Sequence, residues 1–272
     1  MIKDTFKAGW LTIDQSSDPD YFVRLMDKMR GGKDDDPVQY RAVFDLIDVQ
    51  DGEHVLDVGC GTGGAVRALA PHVGSAGHVV GVDLSATMIA EAGKRANGLG
   101  LPIEFHIADA HHLPFADNAF DESYSLRVFE IIDLPREVLA EMVRVTRSGG
   151  RIVVNGPDMD LWAIDSSNRE VTRKILHYVC DHETNGWVGR QLPGWCQEMG
   201  LKDIQLVPTI LINTDFNVLH DLCLGDFVER AQSAGAVSEE EVIQWFDDLR
   251  QRDREGRFLC TQTLFRVAAQ KP

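Results

Sequence analysis

His54-Val55-Leu56-Asp57-Val58-Gly59-Cys60-Gly61-Thr62-Gly63-Gly64 runs a short apolar segment into a cluster of glycines, with one acid among the apolar residues. Val55, Leu56 and Val58 suit a strand buried on both faces, and the glycines end the run too early for a buried helix. Beyond them, Ala65, Val66, Ala68, Leu69 and Ala70 resume at helical spacing. The glycines therefore lie between a strand end and a helix N-terminus, where free N–H groups meet the positive end of the helix dipole. Without Cβ atoms the backbone can be approached closely, so the stretch reads as a nucleotide-type cofactor site.

Gly59, Gly61 and Gly64 fit the G-x-G-x-x-G dinucleotide pattern, a weak signal by itself. Asp57, two residues before the first glycine, is sharper. A carboxylate at a strand tip repels a pyrophosphate but accepts hydrogen bonds from the ammonium group of an amino-acid ligand. The spacing Asp57-x-Gly59-x-Gly61-x-Gly63 points to S-adenosylmethionine (SAM).

Outward from this stretch the strand and helix signals alternate. Residues 78–83 predict a second strand, followed by Ser85 as the cap of a helix to about residue 99. Residues 103–109 and 120–126 predict the third and fourth strands, a helix covers about 135–147, and Gly149-Gly150 precede a fifth strand at 151–155. Such alternation implies a doubly wound, mostly parallel sheet whose ligands sit beyond the carboxyl ends of the strands. Asp57, Asp83 and Asp109 end the first three strands in register. Asp83 lies about twenty residues after the glycines, where an acid takes a ribose hydroxyl pair. Asp109 can accept from an adenine amino group, and Met88, one turn into the next helix, is placed to cover the adenine face.

The flanks read as helical. Ser17-Asp18-Pro19 opens a helix over 19–30 that Gly31-Gly32 stop, with Tyr21, Phe22, Leu25, Met26 and Met29 as its apolar stripe, and Asp34-Asp35-Asp36-Pro37 opens another to about residue 47. Downstream, helices are expected at 167–184 and 193–199, a sixth strand at 203–212 and a closing strand at 260–269. Two amphipathic helices, 218–231 and 238–252, lie between these strands, the second opened by a Ser238/Glu241 capping box. The division expected is a helical cover, 1–48, and a cofactor-binding domain, 49–272, whose 217–252 insertion forms a lid or a dimer surface.

Lys plus Arg number 27 and Asp plus Glu 43, a net charge of −16 with a pI near 4.9, and no basic residues cluster, which argues against a nucleic-acid partner. Five scattered cysteines without a C-x-x-C pair fit a reducing compartment, and no signal-peptide core or membrane-spanning apolar run is visible, so a cytoplasmic protein without a membrane partner is expected. His177, Cys180 and His182 do not share one helical face, and strand four ends Leu126-Arg127-Val128-Phe129 with no carboxylate, so no metal is expected.

Four segments together resemble class I SAM-dependent methyltransferases, and most of all the type 11 methyltransferase domain, which includes ubiquinone, menaquinone and natural-product methyltransferases. They are V-L-D-V-G-C-G-T-G-G (55–64), V-V-G-V-D-L-S-A-T-M-I (79–89), A-D-A-H-H-L-P-F-A-D-N-A-F-D (108–121) and E-M-V-R-V-T-R-S-G-G-R-I-V-V (141–154). The resemblance covers roughly 40–155 closely and implies a seven-stranded Rossmann-like sheet with an antiparallel last strand. It also implies cofactor contacts from Asp57, Gly59, Gly61 and Gly63 to the methionine moiety, from Asp83 with Leu84 to the ribose, and from Asp109 with Ala110 to the adenine. Leu126 and Arg127 would end strand four beside the sulfonium. Arg127 departs from the pattern, because a cationic side chain aimed at a sulfonium is unfavourable, so only its backbone is expected to make contact.

The activity expected is metal-independent methyl transfer from SAM to a small, largely apolar acceptor, aligned and shielded from water by the protein. Should the acceptor need to lose a proton, the candidate bases are His177, Tyr21 and Tyr178, with His182 and His220 behind them. Tyr21, Phe22, Met26, Leu219 and Trp245 are the candidate walls of the acceptor pocket. A SAM-binding protein or pericyclic catalyst that donates no methyl would keep every cofactor motif, and an NAD-dependent oxidoreductase would use the same glycines but leaves Asp57 and Asp109 unexplained. The insertion leaves room for a homodimer.

Overall fold

The computed structural model describes residues 6–29 and 37–272. The Gly31-Gly32 stop and the Asp34-Asp35-Asp36 start lie outside the described residues. Among those described, β1 (His54–Val58), β2 (His78–Asp83), β3 (Ile103–Ile107), β4 (Glu122–Ser125), β5 (Arg151–Ile164), β6 (Lys202–Asn213) and β7 (Cys260–Gln270) form one sheet. Its order is β3-β2-β1-β4-β5-β7-β6. The first five strands are parallel, and β7 runs antiparallel to both β5 and β6, as expected of a Rossmann-like methyltransferase sheet.

Helices α1 (Phe6–Leu11), α2 (Asp20–Met29) and α3 (Pro37–Ile47) precede the sheet, and α4 (Gly64–Leu69), α5 (Ala86–Ala96) and α6 (Pro135–Val145) lie between its parallel strands. Next come α7 (Arg169–His182) and α8 (Val188–Glu198) between β5 and β6, then α9 (Phe216–Leu219), α10 (Gly225–Ser233) and α11 (Glu239–Arg254) before β7. Side chains alternate across a strand, and here both faces are covered. Leu56, Val58, Val80, Val82, Ile152 and Val154 pack under α6 and α8, whereas Val55, Val79, Tyr124 and Val153 pack under α3 and α4.

Two elements depart from the sequence expectation. The fifth strand runs nine residues past Asn155, because Gly156-Pro157 continues the ladder with β7 (Gly156↔Phe265, Pro157↔Leu264) instead of turning. β4 is aligned with β5 only as far as Val154, so the missing N–H of Pro157 removes nothing from the β4 ladder. Helix α8 begins at Val188, five residues early, and carries Pro193 inside it. Val188, Leu192 and Cys196 are fully buried against the sheet, and that burial outweighs the one lost helical bond.

The N-terminal segment is docked on α5. Ile13 and Phe22 pack on Met88. The carboxylate of Asp14 accepts from the Ser85 hydroxyl (2.8 Å) and from the amides of Ala86 (2.7 Å) and Thr87 (3.0 Å), so an acid from elsewhere in the chain reinforces the Ser85 cap. The insertion between β6 and β7 makes its own small core with α7, in which Trp245 is fully buried and donates to Thr172 Oγ1 at 2.9 Å. From Phe216 to Ser233 the chain is helical throughout, widening to a π-type turn at His220–Leu224.

Candidate active site

A cavity of about 640 Å³ opens at the carboxyl ends of the strands. One end is lined by Gly59 and Gly61 after β1, Asp83, Leu84 and Met88 after β2, Asp109 and Ala110 after β3, and Leu126 and Arg127 after β4. Four crossovers thus deliver nine of the eleven proposed cofactor contacts to one wall. Asp57 and Gly63 lie beneath it. Asp57 is 2 % exposed, next to the buried Tyr124, whose phenol is pushed well above its usual pKa first by burial and then by the Asp57 charge. Gly63 is left-handed (φ 73°) at the start of α4, and a Cβ there would meet the Phe105 ring at 2.7 Å, so packing alone already requires glycine.

Asp83 accepts from the Gly61 amide (2.8 Å) and the Ser85 amide (2.9 Å), which ties the glycine loop to the start of α5; burial raises its pKa despite these bonds. Burial would also raise Asp109, but the backbone amide of His111 (2.9 Å) and its ring Nδ1 (2.7 Å) prevail and hold that carboxyl low. The His111 ring is engaged at both nitrogens, by Asp109 and by the Asp133 carbonyl at 2.8 Å, and its pKa rises although burial alone would lower it. His111 lines the cavity; the sequence shows its motif position but not its partner on a different loop.

Arg127 is a non-glycine residue with φ 62°, a costly conformation held by its surroundings. Its amide donates to Asn155 Oδ1 at 2.8 Å and its Nε to Glu130 Oε1 at 2.5 Å. The positive charge is therefore matched locally by Glu130.

The other end of the cavity is largely apolar, walled by Met159 and Trp162 from β5, Leu211 from β6, Leu219, Leu222 and Cys223 from the helix beginning at α9, Phe227 from α10 and Leu264 from β7. Of the expected acceptor walls, Leu219 lines this end, and Met26 lines the cavity over Gly61. Phe22 sits one layer behind, Tyr21 is 47 % exposed, and Trp245 belongs to the insertion's core. The proposed bases are not brought to the cavity. His177 is exposed on α7, Tyr178 is stacked on His182 at 4.1 Å beside that core, Tyr21 sits edge-on to Phe22, and His220 packs against Phe246. On α7 Cys180 turns inward while His177 and His182 turn out, and no group of three metal-ligating side chains occurs among the described residues.

Residues 56–154 match the model of a methyltransferase domain. The chain is 35% identical over 234 residues to a 37.1 kDa protein in transposon TN4556 of Streptomyces fradiae, covering 85% of this chain and 66% of that one. It is 40% identical over 126 residues to demethylmenaquinone methyltransferase of Paenarthrobacter aurescens, covering 45% of this chain and 47% of the enzyme. It thus spans about two thirds of the first relative and about half of the second. In structure it is similar to a protein of Bacillus halodurans C-125 assigned as a methyltransferase, with a TM-score of 0.58, 19% identity and coverage of 85% of this chain and 98% of that one. No helix among the described residues is long and apolar enough to cross a membrane. By that match residues 56–154 form a methyltransferase domain, and the sheet that contains them has the Rossmann-like methyltransferase fold.

Proposed function

We propose that this chain binds SAM against the Gly59, Gly61, Asp83 and Asp109 wall and transfers its methyl group to a small, largely apolar molecule held in the remainder of the same cavity. The observation that carries this reading is the continuity of the two regions: the motif wall and the apolar chamber line one volume, and Leu126 and Arg127, also on its lining, follow β4, which lies between β1 and β5 in the sheet. When bound, SAM supplies an activated methyl on a cationic sulfur. The residues of the chain then have three tasks.

Asp83 orients the ribose and keeps the Gly61 loop in place, and Asp109, fixed by His111, receives the adenine amino group. Glu130 holds the Arg127 guanidinium so that its charge does not face the sulfonium. Met159, Trp162, Leu211 and Phe227 keep water from the acceptor and set it in line with the methyl. Residues 1–48 and the 217–252 insertion serve as the cover, joined by the Lys28–Asp221 ion pair at 2.7 Å. Calorimetric SAM binding and the appearance of S-adenosylhomocysteine on incubation with a panel of isoprenoid, polyketide and quinone acceptors test the proposal. SAM binding without S-adenosylhomocysteine across the panel would favour a SAM-binding or pericyclic protein instead.

A further inference from the structure

The charged groups lining the cavity are matched with one exception. Arg127 is paired with Glu130, and Glu183 with Arg230 at 2.5 Å. Asp109 is bonded to His111, and Asp83 to two backbone amides. Arg266 is different. It is 7 % exposed, forms no ion pair among the described residues, and its Nε has no hydrogen-bond partner; the recorded side-chain bond is from Nη1 to the Thr209 hydroxyl.

Its direction follows from strand periodicity. Cys260, Gln262, Leu264 and Arg266 alternate along β7 and all line the cavity. Asn155, opposite Arg266 in the β5–β7 register, also lines it. A buried guanidinium without a counter-charge is costly, and here burial pulls its pKa down with no acid opposing the shift. In a chain of net charge −16, a cation held against the cavity without a carboxylate is a binding device more readily than a packing device.

We propose that Arg266 is the acceptor-binding residue, and that the acceptor is an amphipathic anion: an apolar body in the Met159, Trp162 and Phe227 chamber carrying one carboxylate or phosphate that the Arg266 fork receives, with Thr209 and Asn155 beside it. The inference rests on the proposed function and narrows its acceptor class. The cofactor's own carboxylate is not the partner, because β7 is three inter-strand steps from β1 in the sheet, roughly 14 Å from the glycine loop. A guanidinium binds carboxylate and phosphate alike in a bidentate manner, so the two sources are separated by experiment.

The test uses the full chain and needs no methyl transfer. Binding of decanoate, decyl phosphate, decanol and decyltrimethylammonium is measured by calorimetry for the wild type, Arg266→Met and Arg266→Lys, with SAM affinity and melting temperature recorded on the same samples. The expected result is a preference of roughly 10- to 100-fold for an anionic probe over decanol in the wild type. That preference is lost in Arg266→Met and partly kept in Arg266→Lys, with SAM affinity unchanged. The tighter of the two anionic probes assigns the group. Arg266→Met should melt no lower than the wild type, since it removes an uncompensated charge at similar volume. Equal binding of acid and alcohol by the wild type, no binding of either anionic probe at millimolar concentration, or an acid preference that survives in Arg266→Met would overturn the proposal. So would a loss of SAM affinity in a folded Arg266→Met that matches the loss of probe binding. Failure of SAM binding by the wild type, with the acid preference intact, would instead count against the methyltransferase reading alone.

Discussion

Asp83 has two tasks in one carboxylate: it holds the Gly61 amide and, on the proposed reading, the ribose. Asp83→Ala should weaken SAM binding by about 1–3 kcal/mol in a folded protein, since a charge-assisted bond pair is lost and the loop loses its anchor. Titration calorimetry checks this, and unchanged affinity would remove Asp83 from the site. Gly61→Val should be more severe, because φ 53° disfavours a branched residue and a Cβ would reach Met26 Cε at 2.7 Å. At this scale a residue's place was legible where it depends on the backbone or lies near a strand end: the glycines after β1, Asp57 one residue before the end of β1, Asp83 closing β2 and Asp109 two residues past β3 have their positions set by local geometry. It was not legible where a partner comes from elsewhere in the chain. His111 depends on the Asp133 carbonyl, and Arg266 stands out because no acid faces it, which only the packed sheet reveals. His177, Tyr178 and Tyr21 have the chemistry of a base, but their residue types carry no positional information, and none of them lines the cavity.

The helix beginning at α9 forms part of the cavity wall and part of the insertion's core, and its residues divide accordingly. Leu219 belongs to both; Leu222 lines the cavity without joining the core cluster. Leu222→Ala should therefore lower methylation of the acceptor several-fold, leaving SAM affinity and melting temperature near the wild type, whereas Leu219→Ala should also cost about 2–5 kcal/mol of stability. Tritiated methyl transfer beside calorimetry and thermal melts separates the two, and equal loss of stability in both variants would count against Leu222 as a wall residue. At the start of α11 the Ser238/Glu241 box is complete in both directions (2.7 and 3.2 Å), so Ser238→Ala should cost about 1 kcal/mol, read as a lowered melting temperature. Caps and strand pairing could be anticipated because they depend on neighbours in sequence. The nine extra residues of β5 could not, because Gly156-Pro157 resembles a turn until β7 pairs with it from a hundred residues away. Pro193 hid the first turn of α8 in the same way.

At the level of the whole molecule, charge and pH act together. With a net charge of −16 and no basic cluster in its sequence, the chain should give no salt-dependent shift with DNA or RNA at physiological ionic strength and micromolar protein; a shift would count against a small-molecule acceptor. Global stability should follow two opposing sets of carboxyls. Asp14, Asp109, Asp121, Glu141 and Asp248 are held below their ordinary values, so their contribution is lost as pH falls through the acid range. Glu122 is the reverse case. Buried in β4, with the Glu53 charge near it, it is pushed up to about 8, and neither the Arg151 amide at 2.6 Å nor the Arg147 and Arg151 charges offset the burial. Because its folded pKa exceeds its unfolded one, the folded state binds the extra proton between about 4.5 and 8, and stability must fall as pH rises through that window. The penalty is complete above pH 8 and amounts to a few kcal/mol. Glu122→Gln keeps an oxygen for the Arg151 amide and cannot ionise, so its stability should decline less between pH 5 and 8 than that of the wild type. Urea unfolding at a series of pH values measures the two curves. Parallel curves over that window would mean that Glu122 stays ionised in the folded protein, with water or Arg147 compensating its burial.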